Sequence, residues 1–270
     1  MVGRIIGFFG FAALLCALAI AVAGPGTKLG FWDYSVGLQI IREISAPKAI
    51  AGGVSLSPLF TAAGLSLIGG IFAMATKRAR AGFFAIVAAL LAGGAAAVPL
   101  KMKAAFEGNP FIHEVTTDFD NPPAIIAAAD LPRKNPAEYR GNDAVPQSTD
   151  GITVAEAQKK AFPDIQPIVS DASLEAARDA ARAVIADMKM DILAEGPDGD
   201  QSGAGWRIEA VSTSQWFGFK DDFIVRLTPT ESGGTRIDLR SKSRIGGSDL
   251  GANAARVRDF RERFSAKTAA

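Results

Sequence analysis

The stretch Asp222-Phe-Ile-Val-Arg-Leu-Thr-Pro-Thr-Glu-Ser-Gly-Gly-Thr-Arg-Ile-Asp-Leu-Arg-Ser-Lys-Ser-Arg244 determines the fold of the C-terminal part of the chain. Apolar and polar residues alternate in both halves, and the turn formers Glu231-Ser-Gly-Gly234 separate them, which is the pattern of an antiparallel β-hairpin. A slip of one residue in the pairing would place apolar side chains opposite charged ones. The register that avoids this places Leu227 opposite Ile237, Val225 opposite Leu239 and Arg226 opposite Asp238.

The segments on either side of this hairpin complete an α+β domain. Period-two patterns near 191–195 and 206–213 predict two more strands, and β-branched residues over 111–118 favour a strand or an extended arm. Apolar residues at helical spacing predict helices over 173–188 and 249–264. The resulting order is β-α-β-β-β-β-α, an antiparallel sheet with helices on one face. TBP-like and helix-grip folds share this order.

Smaller features refine the prediction for this domain. Thr153 with Glu156 fits a capping box at the start of a short helix that Pro163 ends. Residues 119–150 are rich in proline without a sustained period, which predicts a long irregular arm. The C-terminal helix has a predicted buried stripe of Leu250, Ala254, Val257, Phe260 and Phe264, with Arg256, Arg258, Arg261 and Arg263 facing outward.

Motifs at both ends of this domain are similar to those of one family. The segment Ile112-His-Glu-Val-Thr-Thr-Asp118 precedes Asn121-Pro-Pro123, and a second group comprises Trp216-Phe-Gly-Phe-Lys-Asp-Asp222, the strand Arg236–Arg244 and Ser248-Asp-Leu-Gly-Ala-Asn253. In this combination they resemble the family catalogued as domain of unknown function 1499. The resemblance covers most of residues 111–264 and implies no particular activity.

The first hundred residues contain three apolar runs without a charged residue: Ile5–Ala23, Ala49–Thr76 and Ala81–Leu100. Each approaches or exceeds the roughly 20 residues that cross the hydrocarbon core of a bilayer. We therefore expect residues 1–103 to form a membrane anchor of three transmembrane helices, and residues 104–270 to form a separate polar domain.

Basic residues near the apolar runs predict the orientation. Lys77, Arg78 and Arg80 lie in the short connection between the second and third runs, and Arg4 precedes the first, so the positive-inside rule places both in the cytoplasm. We expect an integral protein of the cytoplasmic (inner) membrane, with the polar domain periplasmic or otherwise extracytoplasmic. The first run also resembles a secretory signal, and both interpretations export residue 24 onward.

The segment between the first two runs allows two interpretations of equal weight. Val36, Ile40, Ile41 and Ile44 would form one face of a short helix that lies on the membrane surface, or the segment is an ordinary amphipathic loop.

Composition disfavours several classes of function. Residues 101–270 carry 22 basic and 26 acidic residues, whereas nucleic-acid binding requires a concentrated basic surface. Ion and proton paths through lipid usually need charged groups, which the three apolar runs lack. Cys16 lies in the first run, so the polar domain has no disulfide and no thiol nucleophile.

Aromatic residues are the first candidate site in the polar domain, and they fit either a ligand pocket or a plain core. A helix-grip cavity would be lined by the same residues that fill a core, so both interpretations stay open. The candidate set is Trp206, Trp216, Phe219, Phe223, Val257 and Phe260.

Two weaker candidates are an anion site and a metal site. Arg244 with Gly246, Gly247 and Ser248 could hold an anion on backbone N–H groups, but the same residues serve a helix cap, which we favour. His113 and Asp118 could bind a metal ion, but a structural arm is favoured because there is no second histidine.

These observations rank three functions. The first is a non-enzymatic, membrane-tethered module that binds an apolar small molecule, a lipid or a partner protein of the cell envelope. The second is a scaffold or assembly protein that acts through protein contacts. The third, an enzyme of envelope metabolism, lacks a recognisable nucleophile, metal set or cofactor fingerprint. We expect no cofactor, no nucleic-acid partner, and contact with the lipid bilayer.

Overall fold

A computed structural model describes residues 2–50, 53–146, 148–198 and 205–268. Contacts between residues divide the chain into two compact units. The first unit comprises Met1–Ala104 with Gln215–Gly218, and the second comprises Ala105–Ser214 with Phe219–Ala270.

Helices dominate the N-terminal part. They are α1 (Val2–Lys28), α2 (Tyr34–Ser45), α3 (Pro58–Ala75), α4 (Ala79–Ala95) and α5 (Ala97–Gly108), with a short antiparallel pair, β1 (Lys48–Ala49) and β2 (Ser55–Leu56), before α3. Three helical stretches are long and apolar enough to cross a membrane: Val2–Lys28, Pro58–Ala75 and Ala79–Gly108. The chain therefore carries apolar helices at its N-terminus that could span a membrane.

The second apolar run is helical over a shorter range than the sequence predicted. Its beginning forms the β1–β2 pair, and α3 begins only at Pro58. Ser57 caps this helix by accepting a hydrogen bond from the Phe60 N–H, and proline is favourable in the first helical turn because its missing N–H would have no partner there. These local signals outweigh the apolar composition of residues 49–56.

Small residues bring the helices of the first unit close together. A Cβ atom added to Gly82 would lie 2.9 Å from the carbonyl oxygen of Gly70, so α3 and α4 approach with backbone nearly against backbone. The Ser66 hydroxyl donates a buried 2.7 Å hydrogen bond to the carbonyl of Ala85. Of the two interpretations of the segment between the first two apolar runs, the structure has the helix: it is α2, which Asp33 caps, and its Ile41 is buried.

The second unit contains a six-stranded antiparallel sheet with helices. Its strands run in the spatial order β3-β8-β7-β6-β5, and β4 also pairs with β8. The residues of the arm 119–150 that the structure describes form no helix and no strand. The elements are β3 (Glu114–Thr116), α6 (Val154–Ala161), β4 (Ile168–Ser170), α7 (Leu174–Asp187), β5 (Asp191–Pro197), β6 (Trp206–Thr213), β7 (Lys220–Pro229), β8 (Thr235–Ser243) and α8 (Ala252–Thr268).

The hairpin of β7 and β8 has the predicted register. Leu227 lies opposite Ile237, Val225 opposite Leu239 and Arg226 opposite Asp238. The capping box at Thr153 and Glu156 is also present.

One face of the sheet packs against α7 and α8. The Phe223 and Phe260 rings lie 5.3 Å apart between centroids, and Phe264 stacks on Phe260. All three side chains are fully buried, together with Val225, Leu239 and Val257. This face is a close-packed apolar core, and we call it the helix-covered face.

Three details of the predicted fold are wrong. The order has one more strand, because β4 pairs with β8, and it left out the short helix predicted after Thr153, which is α6. Leu250 lies outside α8 with a left-handed φ of 55°, since the Asp249 carboxylate accepts the N–H groups of Gly251 and Asn253 where the chain enters the helix. Arg256 faces inward, where its Nη2 lies 2.6 Å from Asp221 Oδ2.

The outer edge of β3 is closed by a side chain. Gln158 Nε2 donates to the Thr116 carbonyl at 2.7 Å, and Gln158 Oε1 accepts the Thr116 N–H at 3.0 Å. The amide thus makes the two hydrogen bonds that another strand would make.

Candidate functional site

The opposite face of the sheet carries charged residues, and the arm 119–150 lies over it. Strand alternation places Asp222 and Arg226 of β7 on this face, away from the helix-covered core. The neighbouring strands supply the rest of the set. We call it the ion-pair face, and its members are Glu114, Arg207, Glu209, Asp222, Arg226, Asp238, Arg240, Lys242 and Arg244.

Glu114 is the centre of the most buried cluster on this face. Arg240 Nη2 donates to one carboxylate oxygen at 2.8 Å, and Lys242 Nζ donates to the other at 2.9 Å. The three side chains are at most 2 % exposed. One carboxylate therefore pairs with two cations out of contact with water, and removing any one partner would leave a buried charge or donor uncompensated.

The same cations hold the arm by its backbone. Arg240 donates to the carbonyls of Pro123 and Ala137, and Lys242 donates to that of Glu138 at 2.8 Å. Loss of hydration lowers the pKa of Lys242 to about 8, although Glu114 favours the charged form. Burial raises the pKa of Tyr139 to about 12.

Asp222 forms a second buried cluster. Arg133 Nη1 reaches one of its oxygens at 3.0 Å, and Arg244 Nε reaches the other at 2.8 Å. Arg133 belongs to the arm, so this pair also fastens the arm to the sheet.

Glu209 holds the arm at a third point. Its carboxylate accepts the backbone N–H groups of Ile126 at 2.9 Å, Ala127 at 3.0 Å and Ala128 at 3.3 Å. Ile125 and Ala128 pack against Ile224 beside it. The irregular arm is therefore fixed by charged hydrogen bonds and by a small apolar contact.

The outer part of the ion-pair face is a four-member network. Arg226 Nη2 donates to Asp118 at 2.9 Å and to Asp238 at 3.0 Å. Arg236 contacts the same two carboxylates at 3.1 and 3.0 Å. Two cations and two anions balance each other here.

A pocket of about 210 Å³ lies between the arm and this face. We call it the arm pocket. Arg207 and Arg226 contribute its positive groups, and Asp198 contributes a carboxylate. The remaining lining residues are Asn121, Pro122, Pro123, Ala124, Ile126 and Ile224.

Comparison with known proteins agrees with the motifs in the sequence. The family described as "Protein of unknown function (DUF1499)" matches residues 114–264, more than half of the chain. The chain belongs to the DUF1499 family. No curated protein and no solved structure matches it. The DUF1499 region begins at Glu114 and includes the whole ion-pair face and its arm.

The aromatic candidates do not form one site in the DUF1499 domain. Phe223, Val257 and Phe260 lie in the packed core of the helix-covered face, and Trp206 packs against its margin. Trp216 groups with the first unit, where it packs against the helical core, and Phe219 is half-buried.

The residues of the candidate anion site are engaged with protein groups. Arg244 is directed at Asp222, the Gly246 carbonyl accepts a hydrogen bond from Asn135, and the Ser248 hydroxyl accepts the Leu250 N–H. The backbone of Gly247 hydrogen-bonds to His113.

The two candidate metal ligands have different surroundings in the structure. His113 is half-buried, and desolvation lowers its pKa, whereas Asp118 is paired with Arg226 and Arg236. Within the described ranges, no group of three or more His, Cys, Asp or Glu side chains is placed to hold a metal ion.

Sequence reasoning missed the ion-pair face as a site, although its signal is visible. Charged residues occupy every second position from Arg236 to Arg244, which covers β8 and the residue that follows it. Such a stripe normally indicates a solvated face. Here the carboxylate Glu114 and the arm come from segments more than a hundred residues away in the chain, so the sequence pattern does not reveal that the stripe is covered.

Proposed function

We propose that this protein is a membrane-anchored, non-enzymatic binding module whose DUF1499 domain holds a small ligand in the arm pocket. The observation that supports this most is the construction of the pocket. One wall is the rigid sheet, and the other is an arm fastened by Glu114, Asp222 and Glu209 through charged contacts. A pocket with fixed walls loses little conformational entropy when it binds a ligand.

Binding fits this site better than catalysis. A general acid or base must reach the substrate, but Glu114 and Asp222 are 1 % exposed and are consumed by cations. Together with their cationic partners, these two carboxylates hold the arm against the sheet. The pocket itself combines apolar walls, such as Ile126 and Ile224, with two guanidinium groups, which suits a ligand that has an apolar part and a polar end.

The binding proposal is tested on the full-length protein purified from membranes in detergent. Native mass spectrometry should detect a co-purified small molecule that high salt and detergent exchange remove, and adding it back should raise the melting temperature by mass action. The test variant is Ala124→Met, which narrows the pocket at an exposed arm position and should lose the ligand. If the wild-type protein carries no ligand, and no compound in a panel of lipids and metabolites stabilises it, a scaffold that acts through protein contacts becomes the better interpretation.

Orientation is a separate part of the proposal. The basic connection between α3 and α4, with Lys77, Arg78 and Arg80, supports a cytoplasmic location for this loop. The DUF1499 domain would then lie on the far side of the inner membrane. Reporter fusions after residue 110 test this, because an export-dependent reporter should be active there and a cytoplasmic reporter inactive. The opposite result would reverse the topology.

A further inference from the structure

The segment between β6 and β7 includes four residues of the first unit, Gln215–Gly218, which we call the aromatic turn. Ser214 before it and Phe219 after it belong to the second unit. The aromatic turn carries Trp216 and Phe217, whose rings meet edge to face with a centroid distance of 5.0 Å. Phe217 is buried and Trp216 is half-buried. Turns between strands usually carry small polar residues, so two buried rings at this position indicate a contact that needs them.

Glycines of α1 and α2 make the room for these two rings. A Cβ atom added to Gly24 of α1 would lie 2.7 Å from ring atoms of Trp216, and one added to Gly37 of α2 would lie 2.8 Å from Phe217 Cε1. A side chain at either position would therefore displace a ring. Trp216 also packs against the apolar core that α1 shares with α3 and α4. We call the surface formed by Gly24 and Gly37 the glycine notch.

Hydrogen bonds complete the contact within the first unit. Lys28 Nζ donates to the carbonyl of Gln215 at 3.0 Å, and Trp216 Nε1 donates to the carbonyl of Ala21 at 3.4 Å. The indole thus buries its ring while its N–H has an acceptor, which is typical of tryptophan at the boundary between an apolar region and water. The apolar run of α1 ends here, between Ala23 and Lys28.

We propose that the aromatic turn is a second, non-covalent attachment of the chain to its N-terminal helices. The first attachment is the continuous chain through α5. A few aromatic side chains seated in a close-fitting pocket carry most of the affinity of many contacts, and Trp216 with Phe217 in the glycine notch has this form. The attachment should therefore persist when the chain is cut after Gly108. This inference goes beyond ligand binding in the arm pocket and does not depend on it.

The test uses the full-length protein in detergent, with an affinity tag at the N-terminus and a protease recognition sequence inserted after Gly108. The protein is immobilised through the tag, cleaved and washed, and the release of the fragment 109–270 is followed over time. We expect the wild-type fragment to stay on the resin, although no covalent link to the tag remains.

Two variants locate the attachment, one on each side of the contact. Trp216→Ala removes the larger ring, and Gly24→Leu fills the glycine notch without changing the aromatic turn. Each should release the fragment at least about tenfold faster than the wild type. Both variants break the same contact, so the double variant should release the fragment no faster than the faster single variant.

Gly7→Leu is the matched control. It makes the same substitution on the same helix, at a position where an added Cβ atom meets nothing within 4 Å, so its fragment should stay bound like that of the wild type.

Three results would overturn the proposal. They are immediate release of the wild-type fragment, retention that neither Trp216→Ala nor Gly24→Leu weakens, and equal release from Gly24→Leu and Gly7→Leu. If one of the two test variants does not fold, the other still tests the contact from the opposite side. Ligand binding in the arm pocket is measured separately, so the failure of either proposal leaves the other standing.

Discussion

The helix-covered face and the ion-pair face belong to the same strands, yet they are stabilised by different physics. Phe223 and Leu239 on one face are buried by apolar contact with α7 and α8. Asp222 and Arg240 on the other are buried just as deeply, but each is matched to named partners. Apolar burial is roughly proportional to area and lacks direction, whereas a buried charge depends on individual partners. The comparison teaches that attachment of the arm depends on individual charged partners, whereas packing of the helices depends on the total apolar area that is buried.

The largest effect is expected from Glu114→Gln. The substitution preserves shape but leaves Arg240 and Lys242 buried without a counter-charge, which should cost about 5 kcal/mol of the free energy of unfolding. Urea titration of the full-length protein in detergent, followed by pulse proteolysis of the DUF1499 domain, measures it. A loss below about 1 kcal/mol would show that water reaches this cluster, and the contrast between the two faces would fail.

Phe260→Ala probes the apolar face with a slightly smaller expected loss. Its ring is fully buried between Phe223 and Phe264, so truncation should cost about 3–4 kcal/mol through lost burial and a new cavity. Phe260→Leu is the control and should recover most of the stability, since an apolar face tolerates a change of shape. Equal losses in both variants would contradict an area-based account of this face.

The pH dependence of Lys242 sharpens the comparison further. Its pKa of about 8 in the folded protein lies below the ordinary 10.5, so between these values the unfolded chain binds more protons and stability rises with pH. The gain should be on the order of 2 kcal/mol from pH 8 to pH 10. Above pH 10 the raised pKa of Tyr139 acts in the opposite direction. The unfolding free energy of the wild type, minus that of Lys242→Met, should carry this slope, and a flat difference would contradict it.

The smallest effect is expected from Asp164→Asn. Its pair with Arg258 has the short geometry of the buried pairs, but both side chains are more than 40 % exposed. Exposed pairs contribute roughly 0.2–1 kcal/mol, and salt screens them. A loss comparable with that of Glu114→Gln would mean that burial is not what separates the two kinds of ion pair.

Local patterns of the sequence predicted much of this fold. The β7–β8 register followed from alternation within one hairpin, and the helix α7 and the Thr153 capping box followed from spacing within one or a few turns. Strand β4 could not be predicted, because its three residues form a strand only through their pairing with Thr235–Ile237 of β8, which lies far away in the chain.

The candidate site was less accessible to sequence reasoning. Asp118 appeared only in a motif of family resemblance and as a weak metal ligand, and Asn121-Pro-Pro123 appeared only in such a motif. The structure places Asp118 on Arg226 and Asn121 in the lining of the arm pocket. Such functions depend on contacts between residues that are distant in the chain, and no local period encodes them.

The side-chain amide of Gln158 affects whether two molecules of this protein can associate through the edge of the sheet at β3. A free strand edge can template the addition of a strand from a second molecule, and repeated addition leads to polymers. At Thr116 both outward-facing backbone groups are already bonded to one side chain of the same chain. A strand from a second molecule must first displace that side chain before it can pair with β3. A single glutamine therefore protects this edge of the sheet against strand addition.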